Sequence, residues 1–160
     1  MSFELKINIQ DKEIQQKLKE LQSKITNTKP FLKQIGYALI EQVEDNFEND
    51  GFFGKEWKLP KRCEKNKKDE NDTKQCSVLQ LTGRLASSID FEVNNNTLTL
   101  GTNVEYAPIH QFGGKAGRNK KSIIDARPFL PIIKRGSDYN LHEKSEKEID
   151  RVLDNFLKKL

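Results

Sequence analysis

Phe31, Ile35, Leu39, Val43 and Phe47 stand at every fourth position, and no other pattern in the chain restricts its fold so strongly. A four-residue step is close to one turn of an α-helix, so these side chains form one apolar stripe that needs a second layer to cover it. Thr28 and Pro30 mark the start of this helix, because proline's missing amide is harmless in a first turn. Asn49, Asp50 and Gly51 mark its end. Upstream, Ile14, Leu18, Leu21 and Ile25 share a face in the same way, with Asp11 placed to cap the first turn. Phe3, Leu5, Ile7 and Ile9 alternate with Glu4, Lys6 and Asn8, which predicts a half-buried strand before both helices.

After Phe52, Phe53 and Trp57 the pattern breaks. From Lys61 to Gln75 there is almost no apolar side chain apart from Cys63. Such a stretch cannot bury enough surface to offset the entropy of ordering it, so a mobile loop is expected over residues 58–78. The whole chain is 34% apolar and 32% charged, which allows one thin core and a single domain over residues 1–160. Cys63 and Cys76 both fall in the polar stretch. No second cysteine pair or nearby histidine completes a zinc set, and their spacing is not that of a redox pair, so free thiols are expected. No run approaches the ~20 apolar residues of a membrane span, and the alternating, charged N-terminus is unlike a secretory signal. The expected site of action is cytosolic, with no membrane partner.

Order resumes at Leu79. Thr82 is placed to cap a short helix whose Leu85 and Ile89 face inward. Phe91 and Val93, then Leu98 and Leu100, alternate around Asn94, Asn95 and Asn96, which predicts an antiparallel hairpin. Residues 106–112 read as a helical turn stopped by Gly113 and Gly114, and Pro128 holds residues 126–130 extended. A last helix is expected to carry Leu141, Ile149, Val152, Leu153, Phe156, Leu157 and Leu160 on one stripe. The fold class is α+β: a small antiparallel sheet packed with amphipathic helices and interrupted by a long polar loop.

The net charge of +4 is unevenly placed. Residues 55–76 hold eight basic and five acidic groups, and residues 114–121 hold Lys115, Arg118, Lys120 and Lys121 with no acid. The remainder of the chain is acidic on balance. Two basic loops of this kind can meet DNA or an acidic protein, and those four cations are the DNA-facing candidates.

Reactive constellations are weak. His142 falls on the polar flank of the last helix, where a solvated side chain is expected. His110 sits among Tyr106, Ile109 and Phe112, with Glu105, Asp125 and Arg127 as neighbours in sequence or space. As a general base or metal ligand it would need more acidic partners than the pattern supplies, so a structural histidine is expected. Ser87 and Ser88 lack a nucleophile elbow. Gly113, Gly114, Lys115, Ala116 and Gly117 lack the spacing of a phosphate loop and read as a flexible connector. Arg127 can either hold backbone carbonyls of its own chain or pair with an acidic partner. Trp57, Phe52 and Phe53 can pack beneath the polar loop or anchor a subunit contact. No motif calls for a cofactor.

Three ordered boxes carry a resemblance. The first is Leu81, Thr82, Gly83, Arg84 and Leu85, continuing to Ile89. The second runs from Gly101 through Tyr106, Ala107, His110, Gln111, Phe112, Gly113 and Gly114. The third is Ala126, Arg127, Pro128, Phe129 and Leu130. Together with Gly54 and Trp57 upstream, they resemble the phage virion morphogenesis family, the tail-completion proteins of Mu-like tailed phages and prophages. The likeness covers nearly the whole chain and departs mainly over residues 61–76.

The resemblance implies structural work without catalysis: completing the tail at the head–tail junction, as a ring around a DNA channel. Tail-tube and connector proteins would be its partners, and host cytoplasm followed by virion tail or neck its location. It implies fold-defining or contact roles for Trp57, Gly83, Arg84, Tyr106, His110, Gln111, Phe112, Gly113, Gly114, Arg127, Pro128 and Phe129. A nucleic-acid-binding module using the two basic loops is the alternative.

Overall fold

The computed structural model describes residues 15–17, 19, 28–60 and 77–158. The N-terminal strand, most of the helix from Ile14 to Ile25, Cys63, Cys76 and the polar stretch 61–76 lie outside the described residues. Residues 15–17 and 19 are helical, as the pattern predicts there.

The long helix α1 spans Lys29–Glu48 and buries Phe31, Ile35, Leu39, Val43 and Phe47, the whole predicted stripe. Pro30 lies in its first turn. The Thr28 hydroxyl does not cap the helix; it donates instead to Asn96 Oδ1 at 2.7 Å, tying the helix start to a distant turn. The chain leaves α1 through Asp50, whose φ of 44° is left-handed. It then folds into a short hairpin of β1 (Gly51–Phe52) and β2 (Lys55–Glu56).

The predicted hairpin is present as β3 (Asp90–Asn94) and β4 (Thr97–Gly101), with Asn95 at φ 53° in the turn. Its buried Val93 and Leu100 lie against α1. Gly36 is required on that helix face: a Cβ there would lie 2.5 Å from the Phe91 ring. The helical turn predicted in the second box is α2 (Ala107–Phe112), ended by Gly113 at φ 72°.

The fold class is α+β, but the strands form four separate two-stranded antiparallel ribbons among the described residues. Three of them were not predicted as strands, the short β1–β2 hairpin among them. The expected flexible connector is half of a ribbon, β5 (Gly114–Ala116) with β6 (Ser122–Ile124). Residues ahead of the last helix form β7 (Ile132–Arg135) and β8 (Asp138–Leu141). Consequently Leu141 ends a strand instead of starting the helical stripe, and α3 spans Glu143–Leu157. Ile149, Val152 and Leu153 are buried as expected, Phe156 is half-buried, and Leu157 is exposed; Leu160 lies outside the described residues. The helix expected at Thr82 shrinks to a 3-10 turn, Ala86–Ser88, because Thr82 reaches only the Arg84 amide at 3.4 Å. Leu85 is nonetheless buried and Ile89 packs on the core.

Helices α1 and α3 pack together, with Phe31 and Phe156 rings 5.2 Å apart and Ser145 Oγ donating to Gln42 Oε1 at 2.6 Å. At the other end of α1, Phe47 meets Trp57 and Phe129 at 5.7 and 5.5 Å between ring centres. Each such side chain, once buried, stabilises the fold by roughly 1.5–3 kcal/mol.

Candidate functional site

The second and third boxes converge on one irregular segment, residues 126–130, which belongs to no helix or strand. Backbone without a ladder must find its hydrogen bonds elsewhere, and here side chains supply them. Gln111 Oε1, buried at the end of α2, accepts from the Phe129 and Leu130 amides at 2.9 and 3.0 Å. Trp57 Nε1 donates to the Pro128 carbonyl at 2.8 Å. Asn46 on α1 donates to the Phe129 carbonyl at 3.1 Å and accepts from the Phe53 amide at 2.9 Å. The Arg127 amide donates to the His110 carbonyl at 2.6 Å.

Arg127 itself is 7% exposed and its Nε donates to the Lys58 carbonyl at 2.8 Å. Lys58 Nζ returns to Asp125 at 3.1 Å, so this one residue ties down the segment by backbone and side chain. Of the two roles open to Arg127, the structure shows the carbonyl-holding one.

Gly113 turns the chain under this segment. A Cβ on it would meet the Ala126 amide at 2.9 Å, and its φ of 72° already disfavours any side chain. Gly114 also has a positive φ, 149°. Phe112 packs on Tyr139 with ring centres 5.0 Å apart. Phe129 is fully buried and Pro128 half-buried. In the first box, Gly83 turns at φ 67° and its carbonyl accepts from Ser87 at 2.9 Å, while Arg84 is exposed.

Beside the clasp lies a groove of about 440 Å³, walled by Leu79, Leu81, Leu85 and Tyr106, with His110 and Arg127 among its lining residues. Leu81 is 76% exposed at its rim. The His110 ring meets Tyr106 edge-on at 5.8 Å. Its pKa lies below the ordinary 6.5, first because burial disfavours the charged ring and second because Arg127 is close. His110 Nδ1 is enclosed with no hydrogen-bond partner among the described residues. Among the described residues no carboxylate lines the groove; Asp125, expected near His110, is paired with Lys58. Among the described residues no three His, Cys, Asp or Glu side chains group closely enough to hold a metal.

His142 is not on a polar flank. It is the N-cap of α3, its Nδ1 accepting from the Lys144 amide at 3.2 Å, and its ring stacks on Phe53 at 3.9 Å. Phe52 packs on the core at the same corner. The four cations expected to face DNA are all exposed, on β5 and on the turn and flank that lead to β6. The hairpin thus gathers the basic residues, whereas the clasp gathers the boxes.

Asn46 was missed in the sequence. The available signal was a polar residue on the otherwise apolar stripe between Val43 and Phe47. Asp50 was read only as a helix stop, yet its carboxylate accepts from the Val78 amide at 2.7 Å and so ties the end of α1 to the chain where it resumes after the polar stretch.

The sequence profile of the phage virion morphogenesis family matches residues 9–158. The "Mu-like prophage FluMu G protein 2" of Haemophilus influenzae is 39% identical over 128 residues, which cover 80% of this chain and 83% of that protein. The "Putative capsid assembly protein G" of Escherichia phage Mu is 27% identical over 139 residues, covering 85% and 88% respectively. No solved structure matches the chain.

Proposed function

This chain belongs to the phage virion morphogenesis family, and from that we propose that it is a non-catalytic subunit that completes the phage tail at the head–tail junction, assembling as a ring. It would act first in the host cytoplasm, where particles are built, and then remain in the tail or neck. Tail-tube and connector proteins would be its neighbours. The names of its relatives, one a capsid assembly protein, support a structural role in the particle.

The observation that carries the reading is the clasp. Gln111, Trp57 and Arg127 spend their polar atoms on the backbone of residues 58 and 128–130. Box residues used in this way set the shape of a surface, and among the described residues no acid pairs with His110 at the groove. The residue range 1–160 would then act as one unit, with the exposed Leu81 and Tyr106 offering apolar contact to another virion protein.

The reading is tested by native mass measurement of the purified chain and by adding it to a lysate of a phage that lacks it. A discrete homo-oligomer and restored infectious particles are expected. His110→Ala should loosen the fold or block assembly. Normal particles together with an unchanged melting temperature in that variant would count against the reading. The basic hairpin favours one alternative, a nucleic-acid-binding module. It would show as tight duplex binding by a monomer, falling steeply with salt.

A further inference from the structure

Two surfaces of opposite charge have no ion-pair partners among the described residues. The first is the β5–β6 ribbon. Its register sets Gly114 opposite Ile124 and Lys115 opposite Ile123. Opposed residues share a face, and successive residues alternate. Gly114 and the half-buried Ile124 face inward, since a Cβ on Gly114 would lie 3.7 Å from Ile109. Lys115 and Ile123 therefore face out. Ile123 is 77% exposed, and Arg118, Lys120 and Lys121 in the adjoining turn are exposed as well. Among the described residues, none of these four cations has an ion-pair partner.

The second surface is the C-terminal half of α1. Glu44, Asp45 and Glu48 are exposed there, with no ion pair among the described residues and no basic residue in the last turn. The C-terminal end of a helix already carries partial negative charge, so carboxylates there add to a field that favours a cation. Next to them opens a cleft of about 540 Å³ between the end of α1, the β1–β2 turn and Lys144 of α3. Asp45, Glu56 and Phe53 help to line it, and Lys144 at its edge is held by the Phe53 carbonyl at 3.2 Å.

We infer that the β5–β6 hairpin of one copy docks on the acidic end of α1 in a second copy, Ile123 entering the cleft while Arg118, Lys120 and Lys121 meet Glu44, Asp45 and Glu48. No residue of the hairpin lines this cleft in its own chain. A contact between two different patches runs head to tail, the kind that forms a ring when its rotation closes and an open filament when it does not. Ile123 decides between a protein and a nucleic acid as the occupant. Phosphate contacts need cations only, whereas an exposed apolar side chain opposite Lys115 and beside the basic turn is the pattern of a protein interface. This inference rests on the ring reading proposed above.

The test is native mass measurement and gel filtration with multi-angle scattering on three full-length variants: R118E/K120E/K121E, E44K/E48K and Ile123→Asp. All the altered residues are exposed, so circular dichroism and melting temperature should match the parent chain. The parent is expected to give a multiple of the monomer mass that falls apart as salt rises. Each variant alone should be monomeric, with self-association weaker by about tenfold or more. Mixing the two charge-reversed variants should restore assembly, since each then offers what the other lacks. Oligomers that persist in all three variants would overturn this interface and leave the ring reading standing. Unchanged mass with lost duplex-DNA retention in the hairpin variant would also overturn it and assign the hairpin to nucleic acid. A parent chain that is monomeric at every concentration would sink the ring reading and this inference with it.

Discussion

The side-chain oxygen of Gln111 sits 2.9 Å from the Phe129 amide and serves the Leu130 amide as well, so one buried atom satisfies two donors. Neither donor has a ladder partner, since residues 126–130 lie outside every strand. Gln111→Ala leaves both amides buried and unpaired. At about 1–3 kcal/mol for each such group, a loss of roughly 2–5 kcal/mol is expected in urea unfolding. A change under about 0.5 kcal/mol would show that the segment holds itself without the clasp.

Trp57 separates packing from hydrogen bonding. Its ring lies against Phe47 while its N–H reaches Pro128. Trp57→Phe keeps most of the ring and orphans the Pro128 carbonyl, so a loss of about 1–3 kcal/mol is expected. Trp57→Ala also opens a cavity and should cost about 3–5 kcal/mol. A Trp57→Phe variant as stable as the parent would mean that the N–H contributes nothing, and equal losses in the two variants that the ring contributes nothing beyond it.

Gly36 gives a prediction opposite in sign to helix propensity. Alanine normally improves a helix interior by about 1 kcal/mol over glycine. Here the new methyl would lie 2.5 Å from the Phe91 ring, and overpacking of this kind costs about 1–3 kcal/mol. Gly36→Ala should therefore destabilise on balance, and adding Phe91→Leu should recover part of the loss. Stabilisation by Gly36→Ala alone would show that the hairpin rides loosely on α1.

Acid should weaken the fold through its histidines. His142 has a pKa below the ordinary 6.5, through burial first and then Lys144, opposed by Glu143 and Glu146. His110 is lowered too. A group with a depressed folded pKa is protonated first in the unfolded chain, so its stabilisation is complete above pH 6.5 and is lost as pH falls through the folded value. Protonation of Nδ1 would also remove the cap on the Lys144 amide. His142→Asn keeps a capping oxygen that does not titrate. Melting temperature measured from about pH 7 to pH 5 should fall less steeply in this variant. An unchanged slope would place the acid sensitivity elsewhere.

Much of this was legible where hydrophobic spacing was long and regular. Helix α1 and the β3–β4 hairpin follow from apolar periods of four and two, and the stop at Gly113 from a glycine pair. The β5–β6 ribbon was hidden because Lys115, Arg118, Lys120 and Lys121 leave no alternation to read. The β7–β8 ribbon had a signal that went unread: Gly136 and Ser137 form a two-residue turn, with Gly136 at φ 64°. Leu141 was assigned to the helix because strand and helix share apolar residues at their junction, and His142 marks the boundary by capping. The family boxes were visible as residues, but their roles were not. Which backbone atom Gln111 or Arg127 holds depends on contacts between residues far apart in sequence, and no local pattern encodes them.

The pairing of α1 with α3 has a consequence for how the protein is made. Phe31 and Gln42 find Phe156 and Ser145 only after more than a hundred further residues have been added. Until α3 has been made, the part of the α1 face that these residues cover stays open, although the β3–β4 hairpin can already lie against another part of it. The core around α1 is therefore complete only once α3 has formed.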